Sequence, residues 1–240
     1  MSRLQTLIEK ILFEMVDRRK LYEFFRNPKY SKPALNAIDD KLAKYLGYGG
    51  GFFIEVGAND GFTQSNTYYL EKFLGWSGIL IEPIPDLFEQ CRSTRRNSEV
   101  FNCALVSNEH SSKAVSMRYA NLMSLTEGAF ADQSIENEHI SAGLKVQNID
   151  GSYKIGVPAR TLESVLDDVK DKPATIDFFS LDVEGYELNV LKGLNLEKYR
   201  PRYLLLEDLF NTHELHSYLA VYYSLVEMFT DHDYFYQRKD

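Results

Sequence analysis

Apolar positions recur along this chain in two rhythms, one helical and one strand-like, and their alternation predicts its elements. Residues 2 to 26 place Leu4, Leu7, Ile8, Ile11, Leu12, Met15 and Val16 at helical spacing, with Glu, Lys and Arg on the other side, before RNPKYSKP breaks the pattern. That spacing predicts an amphipathic helix, and the mixed charge of its polar face favours packing against its own domain over lying on a membrane. A second helix is expected from about Pro33 to Leu46, followed by the glycine-rich GYGGG. From there short apolar runs alternate with helical stretches. GFFIEVG is followed by a helix from about Asn66 to Leu74, then SGILIEP, a helix from about Pro85 to Arg96, and EVFNCALVS. Apolar runs separated by helices predict a parallel sheet with right-handed crossovers.

Residues 108 to 160 interrupt the rhythm with a strand (KAVSMRYA), a polar stretch rich in Ser, Glu, Asn and Gly, and a second strand (YKIGVPART). Such an excursion is expected to be either an active-site lid or an irregular surface loop. The alternation then resumes with the helix TLESVLDDV, the strand TIDFFSLDVEG, the helix YELNVLKGL, the strand RYLLLED and the helix THELHSYLA. YYSLVEMFT and DYFYQRK, flanking Asp231-His232, read as a closing antiparallel hairpin. The expected fold is α/β, a Rossmann-like doubly wound sheet that is mostly parallel. It divides into a helical extension over 1–46 and a domain over 47–240 that carries the 108–160 insertion.

Composition narrows the function more than the fold. The formal charge of −8 gives no basic footprint for a phosphate backbone, so nucleic acid is not an expected partner. The two compact basic clusters, VDRRK and CRSTRRNSE, read as solvated helix faces. Cys91 and Cys103 lie too far apart for a CxxC motif and are too few for a disulfide framework. No stretch approaches a membrane span, and the N-terminus carries no signal-peptide block. A cytoplasmic chain is therefore expected.

The unusual side chains gather at the predicted carboxyl ends of strands, where doubly wound sheets hold ligands. After the first strand comes Glu55-x-Gly57-x-Asn59-Asp60-Gly61. A dinucleotide loop, G-x-G-x-x-G, brings pyrophosphate to a helix N-terminus; this loop reads GANDG, and carboxylates at 55 and 60 would repel that group. They suit a ligand with an ammonium and sugar hydroxyls. The second strand ends in Glu82-Pro83, where an acidic residue can accept from both ribose hydroxyls or serve as a plain loop residue.

FIEVGANDGFTQSNT, GILIEPIP and SLDVEGYELNVLKGL together resemble the class I S-adenosylmethionine-dependent methyltransferases of the FkbM family. The similarity runs from about residue 49 to the C-terminus and is weakest over 108–160. It implies that Glu55, Gly57 and Gly61 surround the methionine and ribose of the cofactor, that Asn59 and Asp60 line the turn, and that Glu82 holds the ribose. It also places Asn102, Cys103 and Ala104 near adenine. Ser65 and Asn66 would either contact the cofactor carboxylate or cap the next helix. At the end of the fourth strand Asp182 would stand beside the methyl group, with Glu184 just beyond it.

Glu207 and His213, after the fifth strand, join the same edge; His216 is a weaker candidate. A carboxylate or histidine there could take the acceptor's proton, and Asp182, Glu184, Glu207 and His213 could instead converge on a divalent metal such as Mg or Mn. The resemblance implies O-methylation of a small molecule or carbohydrate, with S-adenosylhomocysteine as product. A nucleotide-sugar or NAD-dependent enzyme and a non-catalytic cofactor-binding module are the alternatives. Acceptor identity, metal dependence and oligomeric state stay open.

Overall fold

The computed structural model describes residues 31–240 apart from 131 and 149, so the amphipathic pattern of residues 2 to 26 and the VDRRK cluster lie outside the described residues. In chain order the first elements are α1 (Ile38–Leu46), β1 (Phe52–Val56), α2 (Tyr68–Leu74), β2 (Ser77–Ile81), α3 (Pro85–Thr94) and β3 (Glu99–Phe101). The insertion contributes β4 (Ala104–Leu105), β5 (Ala114–Arg118), β6 (Leu125–Thr126), α4 (Gln133–Gln147) and β7 (Lys154–Arg160). Then follow α5 (Leu162–Asp168), β8 (Phe178–Leu181), α6 (Glu187–Lys192), β9 (Tyr203–Glu207), α7 (His213–Leu219) and the hairpin β10 (Tyr223–Met228) and β11 (Asp233–Arg238).

Seven strands form one sheet in the order β10-β11-β9-β8-β1-β2-β3. β3, β2, β1, β8 and β9 are parallel, while β11 runs antiparallel to β9 and β10 antiparallel to β11. This is the doubly wound α/β sheet with the closing hairpin that the sequence predicts. The chain moves outward from β1 through β2 to β3, then returns to build β8 and β9 on the other side. The crevice between β1 and β8 is therefore the point where strand order reverses.

Side-chain alternation assigns the two faces. Ile54 and Val56 of β1 join Ile79, Phe179 and Leu204 against Leu166, Leu191 and Leu215 of α5, α6 and α7. Phe53, between them, points to the other face, with Leu80, Phe178 and Phe235 against Leu42 of α1, Leu70 of α2 and Cys91 of α3. Glu55 shares the parity of Phe53 and so points toward α2 and α3, into the second apolar layer.

Burial of a carboxylate there demands a partner, and Arg95, just after α3, supplies it. The CRSTRRNSE stretch reads from sequence as a solvated face, and the structure corrects this at Arg95, whose side chain is fully buried. Its Nη1 lies 3.1 Å from Glu55 Oε2 and its Nε 2.8 Å from Glu71 Oε2. Nη2 donates to Thr67 Oγ1 at 2.7 Å, and Nη1 also donates to the Gly61 carbonyl at 3.3 Å. Helix periodicity explains the error, because Arg92 remains on the exposed face in a pair with Glu89 while Arg95 turns inward behind Cys91.

The 108–160 stretch builds a second sheet, β4-β7-β5-β6, instead of an irregular loop. EVFNCALVS, expected as one strand, splits after Phe101 and changes sheets at Ala104, where β4 pairs with β7. The polar stretch contains α4, a helix of 15 residues that the sequence reading does not anticipate. Only Glu136, Ile140 and Gly143 of α4 are buried, too few for an apolar stripe. Its start is nevertheless well capped, with Asp132 accepting from the Ser134 amide at 2.7 Å. Among the described residues no helix is long and apolar enough to cross a membrane.

Replacing Arg95 with Met leaves two buried carboxylates without their cation. Urea unfolding should show Arg95→Met destabilised by about 3–5 kcal/mol, against less than about 1 kcal/mol for Arg92→Met in the exposed pair. Equal effects at the two sites would contradict the assignment.

Candidate active site

A cavity of about 400 Å³ opens at the carboxyl ends of β1, β2, β4 and β8, roofed by the insertion. Its floor depends on Gly57, which has φ +85°, and a Cβ there would stand 2.0 Å from the Asp182 carbonyl oxygen. Glycine is required at that position because β1 and β8 leave no room for a side chain, and the backbone adopts a turn that L-residues rarely enter. The loop that follows is built from its own polar groups. Asp60 Oδ1 accepts from the amides of Phe62 and Thr63 at 2.8 and 2.7 Å, which turns its carboxylate into the loop and off the cavity wall. Gly61 faces Arg95 and Cys91, also away from the cavity.

Glu55 lies on the cavity wall with both oxygens engaged. Oε1 accepts from Ser65 Oγ at 2.9 Å and the Asn66 amide at 3.1 Å; Oε2 accepts from Thr67 Oγ1 at 2.6 Å and meets Arg95. Ser65 Oγ in turn accepts from the Tyr68 amide at 3.1 Å, as a helix-start cap does. Asn66 reaches across the switch point, its Nδ2 donating to Ser180 Oγ at 3.0 Å.

Glu82 is buried at the end of β2 and accepts from the Asn59 and Ile84 amides, each at 2.8 Å. Burial outweighs those two hydrogen bonds and pushes its carboxyl up to about 8. Asn102 does not reach the cavity; its Nδ2 donates to the carbonyls of Glu82 and Pro83, both at 2.9 Å, and so fixes the backbone that aims Glu82. Cys103 and Ala104 line the wall beyond it.

On the β8 side Asp182, Glu184 and Glu207 each bring a carboxylate oxygen within 4.8 Å of the others. Among the described residues no lysine or arginine lines the cavity to balance them. Loss of water, and then the neighbouring negative charges, raise the carboxyls of Asp182 and Glu207 well above the ordinary range, and the two titrate as a coupled pair. Glu184 takes φ +55°, and the turn around it is held by Glu187 Oε1, which accepts from the Val183 and Gly185 amides at 3.1 Å.

The histidine expected beside these carboxylates is a different one. His213 is exposed, 3.4 Å from Ser217 Oγ and off the cavity wall, and His216 pairs with Asp208 at 3.2 Å. His139 of α4 lines the cavity instead, with Nε2 2.9 Å from Glu184 Oε2. The sequence held one signal for it: Glu136, His139, Ile140, Gly143 and Gln147 are spaced as one helix face, a stripe too polar to register as amphipathic.

A family model, the methyltransferase FkbM domain, matches residues 55–236. The chain belongs to the FkbM methyltransferase family. The matched span runs from Glu55 through Tyr236, so in this FkbM chain it takes in the glycine turn, the Glu82 edge, the carboxylate cluster and the whole insertion. Two solved structures are similar to this FkbM chain. One is a TehB-like SAM-dependent methyltransferase from Corynebacterium glutamicum, 8% identical, with a TM-score of 0.42 over 92% of this chain and 98% of that one. The other is the human methyltransferase 10 domain containing protein, 11% identical, with a TM-score of 0.45 over 84% and 81%. A comparison with curated proteins finds no match.

Because Glu82 keeps its proton in the folded protein up to about pH 8 but loses it near 4.5 when unfolded, the native state binds more protons in that window and its stability falls as pH rises. Glu82→Gln removes this term. The urea stability of the parent relative to Glu82→Gln should therefore decline from pH 5 to pH 8, and a difference that stays constant would contradict it.

Proposed function

We propose that this chain is an S-adenosylmethionine-dependent methyltransferase that transfers the sulfonium methyl to a hydroxyl of a small molecule or sugar. The observation that carries this reading is the carboxyl lining of the cavity wall. Among the described residues, Glu55, Glu82, Asp182, Glu184 and Glu207 line it and no lysine or arginine does. Such a wall offers no cationic side chain to the pyrophosphate of a dinucleotide or nucleotide sugar, while its carboxyl oxygens suit a donor that bears a sulfonium, an ammonium and hydroxyls.

The strand ends supply a place for each part of that donor. Adenine fits beside Cys103 and Ala104, while the ribose hydroxyls fit against Glu82, whose two oxygens keep a lone pair each after accepting one amide apiece. The methionine part lies along Gly57 toward Asn66, where only a glycine leaves room for close approach. This ordering brings the methyl group to Asp182. An acceptor then enters through the space bounded by Glu184, Tyr186 and Glu207, and transfer requires its oxygen in line with the carbon–sulfur bond at contact distance.

Calorimetry with S-adenosylmethionine, S-adenosylhomocysteine and NAD tests the donor. Both sulfur ligands should bind and NAD should not; binding of NAD alone would overturn the reading. For the reaction itself, methyl-labelled S-adenosylmethionine incubated with a metabolite and glycan extract should give a labelled product that alkaline ester hydrolysis does not release. Asp182→Asn should lower that transfer by at least about tenfold, equivalent to about 1.4 kcal/mol of transition-state stabilisation.

A further inference from the structure

We propose that His139, oriented by Glu184, is the base that takes the proton from the acceptor hydroxyl, an assignment that rests on the methyl-transfer reading above. Three features of the insertion support it. First, α4 is fixed over the cavity at both ends: Glu136, on the turn before His139, accepts from the Gly128 amide at 3.2 Å and lies 3.6 Å from Arg118. Gln147 at the other end accepts from the Leu122 amide at 3.1 Å and donates to the Ala120 carbonyl at 2.9 Å. Second, the imidazole is held on its flank by Phe130, 5.2 Å between ring centroids, which in turn meets Phe210 edge-on at 5.1 Å.

Third, Nε2 is enclosed and 2.9 Å from Glu184 Oε2, a charge contact without hydrogen-bond geometry, and no described residue hydrogen-bonds either ring nitrogen. By charge alone, a carboxylate this close to Nε2 favours the tautomer with its hydrogen there and leaves the lone pair on Nδ1. Glu184 presents that carboxylate from a left-handed backbone conformation, a costly arrangement for a residue other than glycine, and such conformations concentrate where geometry serves function.

The neighbouring carboxyl groups are poor candidates for the same work. Burial and the neighbouring negative charges raise the carboxyls of both Asp182 and Glu207, which disfavours either as a free base. Of the other described histidines, none lines the cavity; His232, the nearest to the cluster, stands 3.8 Å from Glu207. In the step, an oxygen lone pair of the acceptor attacks the methyl carbon as the O–H proton passes to His139 Nδ1. The carbon–oxygen bond forms, the carbon–sulfur bond breaks with its electron pair going to sulfur as the neutral thioether, and the imidazolium afterwards returns its proton to water.

The test compares parent, His139→Ala, His139→Gln and Glu184→Gln in transfer from methyl-labelled S-adenosylmethionine into the same extract, with S-adenosylhomocysteine affinity measured on each. Loss of a general base should lower kcat by about 10²–10⁴-fold. S-adenosylhomocysteine affinity should be unchanged, His139→Gln should be as impaired as His139→Ala, and free imidazole should restore part of the rate to His139→Ala alone. Nitrogen-15 spectra of the ligand-free parent should show the hydrogen on Nε2, and Glu184→Gln should loosen that preference. An active parent with an equally active His139→Ala, a His139→Gln that works normally, or a loss that imidazole does not repair would each overturn the role of His139 while leaving methyl transfer intact. A parent that binds neither sulfur ligand and transfers no label would overturn the methyltransferase reading, and this inference with it.

Discussion

The buried guanidinium of Arg95 is the constraint on which the cavity depends. It neutralises Glu55 and Glu71 inside the apolar layer between the sheet and α2 and α3, and it holds Thr67 and the Gly61 carbonyl in place. A planar fork of donors meets several acceptors at once, which a lysine could not do. Through Glu55 the network reaches Ser65, Asn66 and Thr67, so the start of α2 and the turn after β1 share one anchor. The glycine turn has its shape because a charge is balanced beneath it.

Across the cavity the opposite condition holds. Among the described residues no lysine or arginine pairs with Glu82, Asp182 or Glu207, and loss of water raises all three carboxyls. Glu55 is thereby set apart as a scaffold charge, whereas burial favours the protonated forms of the others. A cationic ligand with hydroxyl groups would relieve their mutual repulsion and offer hydrogen-bond donors to them.

Much of this was legible in the sequence, for physical reasons that also explain what was not. β1, β2 and β8 are buried on both faces, so they read as continuous apolar runs, and Gly57 and Glu82 mark their ends. Asp182, Glu184 and Glu207 do converge, as their positions after neighbouring strands predict. Arg95 was misread because a charged residue in a basic run resembles solvated surface; only the fold shows that its helix turn faces Glu55 and Glu71. His139 was missed for a related reason. α4 is held by caps and polar ties more than by an apolar stripe, and periodicity detects only the stripe. Asp60 shows the remaining gap, since sequence places a carboxylate at the turn but not the direction in which it points.

In the proposed reaction a sulfonium donor occupies the switch-point cavity with its reacting end toward the carboxylates and His139. A crystal structure with S-adenosylhomocysteine would show whether it does. Adenine is expected beside Cys103 and Ala104, both ribose hydroxyls on Glu82, and the thioether sulfur facing Asp182, with open space for an acceptor between it and His139. A ligand seated elsewhere, or one reversed so that its ribose lies against Asp182 and leaves Glu82 without a partner from the ligand, would contradict it.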